Sequence, residues 1–196
     1  MIGRVTTAAA IGLVLAIQPA FAHPPPFGLT GFSGGLLHPL LFPAHLLALL
    51  ALGMLIGGQT TWTLRPLVGF ALGLSAGLGL MASGVVPRFM TEAVTSLAIV
   101  ASLLVILARP IPETAGGALA VLVGAAIALD SPPETISLAE ANRMLVGTGV
   151  GALSLSTAAI WLTRRRHPQR SRMAARVLGS WIAASAILFL ALRLVR

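Results

Sequence analysis

Cysteine and tyrosine are absent from this 196-residue sequence, and only five of its side chains are acidic. The absence of cysteine excludes disulfides, thiolate metal sites, iron–sulfur clusters and cysteine nucleophiles. The sequence also contains no Ser/His/Asp constellation, no His-Glu-x-x-His motif and no Gly-rich phosphate loop with a lysine. These absences predict that the protein is not an enzyme.

Charge is scarce as well: only 9% of the residues are charged, whereas a soluble domain carries roughly 25%. Hydrophobic residues make up 57% of the chain and occur in long blocks instead of short periodic stripes. This pattern is typical of membrane-spanning helices. It predicts an all-α fold, a polytopic membrane helix bundle whose surroundings are the lipid bilayer.

The net charge is +8, and the basic residues lie in the connectors between the apolar blocks. They do not form a basic face interleaved with aromatic residues, so they indicate membrane topology and not nucleic-acid binding. We therefore expect no nucleic-acid partner.

Residues 1–22 have the three parts of a secretory signal peptide. Arg4 provides a positive start, Ala8 to Ile17 form a short apolar stretch, and Ala20-Phe21-Ala22 is a small-x-small cleavage signal. We expect cleavage after Ala22, which would leave residues 23–196 as a single transmembrane domain beginning at His23. An uncleaved first helix is the alternative.

Six apolar blocks follow and predict about six transmembrane helices, one for each block. The fourth is short for a span. The blocks run approximately from Leu36 to Ile56, Pro66 to Val85, Thr91 to Ala108, Thr114 to Leu129, Met144 to Leu162, and Ala174 to Val195.

The arginines predict the orientation of these helices. With the mature N-terminus outside, the outer connectors contain only Arg88 and Arg143. The inner connectors contain Arg65, Arg109, Arg164, Arg165, Arg166, Arg170 and Arg172. Because connectors on the cytoplasmic side are enriched in basic residues, this orientation is favoured, and the predicted signal peptide agrees with it.

Small residues recur at four-residue spacing on three of the predicted helices. The glycines are Gly53 and Gly57, Gly69 with Gly73 and Gly77, and Gly147 with Gly151. Such stripes let membrane helices approach closely, within one chain or between copies in a homo-oligomer. The alternative is that they leave room for a permeation path.

Three histidines lie at or before the outer end of the first predicted helix: His23, His38 and His45. Imidazole is a good ligand for nickel, cobalt and copper, and histidine inside a membrane segment is costly without a function. In a regular helix His38 and His45 would share a face about 10.5 Å apart, too far to bind one metal ion directly. A break at Pro39 or Pro43 would bring them together. The alternative is that both are interfacial residues bonded to the backbone.

Glu92, at the start of the third predicted helix, lies on the same side of the membrane. It is either a metal ligand beside the histidines or a carboxylate stabilised by the helix dipole. Asp130 and Glu134, after the fourth predicted helix, allow the same two interpretations.

The stretch from Gly31 to Ala48, GFSGGLLHPLLFPAHLLA, resembles the signature of the HupE/UreJ family. These small bacterial membrane proteins are associated with hydrogenase and urease gene clusters and are regarded as nickel or cobalt permeases. The resemblance rests on the glycines, His38-Pro39, and His45 with the Leu-Leu-Ala that follows it. It implies a multi-pass protein of the bacterial inner membrane with a periplasmic mature N-terminus, and metal ligation by His23, His38, His45 and Glu92.

The sequence also departs from the family pattern. The family Asp before the second histidine is Ala44 here, and the family Gly two residues earlier is Phe42. The His-rich run expected near Asp130 and the histidine expected between Leu153 and Ala158 are both absent. Two hypotheses therefore stand: a permease for a divalent cation (nickel, cobalt or copper), or a non-transporting accessory protein that binds metal or a membrane partner protein.

Overall fold

The computed structural model describes residues 29–60, 63–85, 87–133, 137–164 and 168–195, without the side chains of 168–172. The predicted signal peptide, residues 1–22, and His23 lie outside these residues. Throughout the described part of the chain, the regular elements are helices and there are no strands. The prediction of an all-α membrane bundle is confirmed.

The described residues form seven helices. They are α1 (Gly31–Leu41), α2 (Pro43–Gly57), α3 (Arg65–Ala82), α4 (Met90–Leu107), α5 (Glu113–Leu129), α6 (Leu138–Arg164) and α7 (Pro168–Leu194).

Four of these helices, α3, α4, α6 and α7, are long and apolar enough to cross a membrane. Helices α1 and α2 together are also long and apolar enough to form a fifth span. They are separated by a one-residue break, at which the chain bends by 70°. Helix α5 is apolar but has only 17 residues, as expected from the short fourth block. The six apolar blocks thus correspond to six segments of the bundle, and the first is interrupted.

Helix α2 lies at the centre. Every residue from Ala51 to Gly57 is buried, and α2 packs against both α4 and α6. A helix that is apolar on all faces is stable in such a position because no face must meet water. The outer helices expose large apolar side chains, including Leu72, Leu103 and Leu188, as a lipid-facing surface requires.

Glycines mediate the closest helix contacts. A Cβ atom at Gly73 would collide with the carbonyl oxygen of Val121 on α5, and one at Gly53 would lie 2.5 Å from the Cβ of Ala159 on α6. A Cβ at Gly147 would collide with the carbonyl oxygen of Phe32 on α1. The glycine stripes therefore serve packing between helices of one chain, the first of the two interpretations.

The bundle has two chemically different ends. We call one the histidine end, where His45, Asp130 and Thr91 meet. We call the other the arginine end, which carries Arg65, Arg109 and Arg164. Here Arg65 pairs with Glu113, while Arg109 and Arg164 line a common cavity.

Buried hydroxyl side chains in the bundle bond to their own helices. The hydroxyls of Thr148, Ser102 and Ser156 each donate to the backbone carbonyl four residues earlier. This satisfies the hydroxyl hydrogens inside an apolar core.

Candidate metal centre

The site begins at the break between α1 and α2. Phe42 has extended backbone angles (φ −93°, ψ 114°), and Pro43 occupies the first turn of α2. Pro43 has no N–H to donate, so it cannot continue α1, and Pro39 removes another donor inside α1. Two prolines four residues apart thus explain why this span bends by 70°.

The break brings the two histidines together. The ring centroids of His38 and His45 are 5.1 Å apart, about half the separation expected along a continuous helix. Both are buried, with exposed fractions of 6% and 0%. The sequence allows His38 and His45 to share one site only if the helix is broken at Pro39 or Pro43. The structure contains such a break.

Phe42 covers this pair. Its ring stacks on His38 with a centroid distance of 4.0 Å and lies 5.7 Å from the ring of His45. Phe42 itself is 40% exposed, so it forms the boundary between the histidines and the surroundings.

A third helix contributes a carboxylate. Asp130, the C-cap of α5, places Oδ2 2.9 Å from Nε2 of His45. The hydroxyl of Thr91 donates to Oδ1 over 2.8 Å. His45 and Thr91 lie in the first turns of α2 and α4, so Asp130 is close to two helix N-termini, where negative charge is favoured.

Two ring nitrogens in this cluster have no hydrogen-bond partner. They are Nε2 of His38 and Nδ1 of His45, and both are buried. An unpaired buried polar atom costs about 1–3 kcal/mol, so it is uncommon without a functional reason.

Glu92 lies at the same end but takes part in a different contact. Its carboxylate accepts a hydrogen bond of 3.1 Å from Nε of Arg193 near the end of α7. The pair is partly exposed, with side-chain fractions of 21% for Glu92 and 45% for Arg193.

Of the four predicted ligands, the structure therefore brings two together, His38 and His45. Glu92 instead pairs with Arg193. His23 lies outside the described residues. Among the residues that are described, no group of three or more His, Asp or Glu side chains is arranged to hold a metal ion. The role of all four residues, His23, His38, His45 and Glu92, as metal ligands stays a prediction.

The residues around His38 and His45 also include three that are not among the predicted ligands: Asp130, Thr91 and Phe42. The sequence allows two interpretations of Asp130, a ligand or a carboxylate stabilised by a helix dipole, and does not predict its histidine partner. Its contact with His45 joins residues 85 positions apart, which no local pattern encodes. The signal that was available is scarcity, since the chain has only five acidic residues.

Comparison with known proteins returned one family. The family with the description HupE / UreJ protein matches residues 11–189. No curated protein and no solved structure matches the chain.

Proposed function

The chain belongs to the HupE/UreJ family, and on that premise we propose that it is a membrane permease for a divalent transition-metal cation of the nickel or cobalt class. Copper is the further candidate, because imidazole ligands suit all three ions. The transported ion is the substrate of the protein and not a resident cofactor.

The pair of unpartnered imidazole nitrogens carries this proposal. Nε2 of His38 and Nδ1 of His45 are buried, lie on rings 5.1 Å apart, and flank a broken membrane helix. Interrupted helices occur at the ion sites of many membrane transporters, because irregular backbone is tolerated in the bilayer only where protein or a cavity surrounds it. An ion bound between the rings would supply the partner that each nitrogen lacks.

Two imidazoles are too few ligands for nickel or cobalt. We propose that His23 contributes next, since cleavage after Ala22 would place an imidazole and a free amine in one residue. Water molecules would complete the shell. Because Glu92 already pairs with Arg193, the proposal rests mainly on the three histidines.

The proposed orientation puts the histidine end in the periplasm and the arginine end in the cytoplasm of the bacterial inner membrane. Arginine enrichment at one end supports it. The ion would then bind from the outside. Since Leu49 and every residue from Ala51 to Gly57 are buried below the site, inward release requires a rearrangement of helices. Phe42, between two prolines, is the place where the backbone can change direction.

A non-transporting accessory protein is the second candidate function. The tight packing around α2 favours it, as does the absence of a three-ligand cluster from the described residues. Such a protein would bind metal at its outer end, or hold a membrane partner, without passing the ion onward.

Uptake of radioactive nickel and cobalt, together with copper accumulation, distinguishes these functions. Cells would carry no copy, the natural chain, His38→Ala, His45→Ala, or His167→Ala as the control, a histidine remote in sequence from the pair. A C-terminal tag leaves His23 free. Uptake that depends on His38 and His45 but not on His167 supports the permease. Metal binding by the purified protein without any uptake defect supports the accessory function. If the protein shows no metal binding and no metal uptake, both metal proposals are refuted.

A further inference from the structure

Asp130 determines which nitrogen of His45 is available to an ion. A carboxylate has no proton to donate, so the 2.9 Å contact between its Oδ2 and Nε2 of His45 requires the proton to reside on Nε2. A neutral imidazole carries only one such proton. The other nitrogen, Nδ1, therefore bears a lone pair, and it is the buried atom without a partner.

Other groups keep Asp130 in this role. The hydroxyl of Thr91 donates to its second oxygen, and the carboxylate is close to the first turns of α2 and α4. Its side chain is only 14% exposed, so water competes weakly for the contact with His45. The three helices that meet here thus orient one imidazole ring.

We propose that Asp130 is a positioning residue that holds His45 as the Nε2–H tautomer, so that His45 presents Nδ1 and His38 presents Nε2 to the ion. The part of this proposal that concerns the ion rests on the proposed metal function, whereas the part that concerns the tautomer does not. Carboxylate–histidine pairs commonly orient metal ligands in this way, and the loss of such a partner costs about 10–100-fold in metal affinity.

The experiment is nitrogen NMR of the metal-free protein, labelled with ¹⁵N histidine and purified with its native mature N-terminus. The His45 signals are identified by their loss in His45→Asn. We expect Nε2 to be protonated and Nδ1 to be unprotonated in the natural chain. Protonation of Nδ1 instead would overturn the proposal.

Three substitutions at the same end then separate positioning from general charge. Asp130→Asn should change the tautomer of His45 and weaken nickel or cobalt binding about 10–100-fold. Glu92→Gln removes a carboxylate that contacts Arg193, and should leave the tautomer unchanged. Thr91→Val, which removes only the donor to Oδ1, should give a smaller change than Asp130→Asn.

The outcomes separate this inference from the proposed function. If His45 has the expected tautomer and loses it in Asp130→Asn, but no metal binds the natural chain, the positioning role stands and the permease proposal fails. If metal binds with equal affinity to the natural chain and to folded Asp130→Asn, the positioning role is refuted and metal binding stands.

A separate observation at the arginine end carries a second inference. A cavity of about 370 Å³ is lined by Arg109, Arg164, Thr60 and Thr163 together with apolar residues such as Leu104. The described residues of this lining include no acid. The cavity adjoins the lipid-facing side of α4, where Leu107 is 60% exposed.

We infer that this cavity binds the headgroup of an anionic phospholipid. The guanidinium of Arg109 and the hydroxyl of Thr60 match a phosphate, and the apolar wall matches the start of an acyl chain. A transition-metal cation would be repelled by the same arginines, so the cavity is not a second metal site.

Native mass spectrometry of the protein from nanodiscs containing phosphatidylglycerol and phosphatidylcholine tests this. We expect Arg109→Gln to retain about fivefold less phosphatidylglycerol, since one basic residue near an anionic surface is worth on the order of 1 kcal/mol. Arg88→Gln, an exposed arginine in the connector before α4, is the control. Equal retention by both variants, or displacement of the lipid by millimolar inorganic phosphate alone, would overturn the inference.

Discussion

Gly147→Ala tests whether the position of α1 on α6 controls the histidine pair. The substitution lies on α6, away from both imidazoles. The added Cβ would collide with the carbonyl oxygen of Phe32 and lie 2.8 Å from the backbone nitrogen of Leu36, while ordinary contact begins at 3.4 Å. Helix α1 must therefore move by at least 0.6 Å (3.4 − 2.8), because backbone atoms cannot move aside alone.

The expected cost follows from two opposing terms. Overpacking of this kind costs about 1–3 kcal/mol, and replacing a helical glycine with alanine returns about 1 kcal/mol. Since the clash involves backbone, we expect a net destabilisation of about 1–2 kcal/mol. His38 follows Leu36 on the same helix, whereas α2 is held independently on α6 through Gly53. The two imidazoles should therefore separate and metal affinity should fall.

The assay is reversible unfolding in mixed micelles, followed by metal titration of the folded protein. Gly79→Ala is the matched control, because a Cβ at Gly79 meets nothing within 4 Å. It should be neutral or slightly stabilising and should bind metal normally. If Gly147→Ala unfolds and binds metal like Gly79→Ala, the close contact between α1 and α6 does not set the geometry of the site.

Two further predictions concern the break and the amino terminus. Pro43→Ala restores a backbone donor where α1 ends and favours a continuous helix. It should weaken metal affinity by moving His38 and His45 towards a separation of about 10.5 Å. Pro112→Ala, at an exposed helix N-cap, is its control, and equal metal affinities of the two variants would contradict the role of the break. A single glycine placed before His23 in the mature chain removes the free amine from the histidine residue and should also lower metal affinity, measured by competition with a chelating dye. Unchanged affinity would show that the amine of His23 is not a ligand.

Part of the site was predictable because it depends on local sequence. His38 and His45 stand out as histidines within an apolar block, and Pro39 and Pro43 allow the helix to break between them. Whether the break occurs was left open, since prolines in membrane helices also produce smooth kinks when neighbouring groups satisfy the freed carbonyls. The bend of 70° and the stacking of Phe42 emerge only from the folded chain.

Glu92 and Asp130 show where local information ends. Both are acids at helix ends on the same side of the bundle, and the sequence offered the same two interpretations for each. The packing of α7 on α4 gives Glu92 an arginine partner, and the approach of α5 to α2 and α4 gives Asp130 a histidine partner. Position 44, just before His45, is alanine, and the fold supplies a carboxylate to His45 from α5.

The amino-acid sequence by itself determined that this protein is a helical membrane bundle with glycine stripes and with histidine and arginine ends. Those properties follow from composition, block length and residue spacing, which act within one helix or between a helix and the bilayer. Only the tertiary structure decided which polar groups meet at the histidine end. Contacts between α2, α4 and α5 depend on the depth and rotation of each helix, and these are set by the packing of all the helices together.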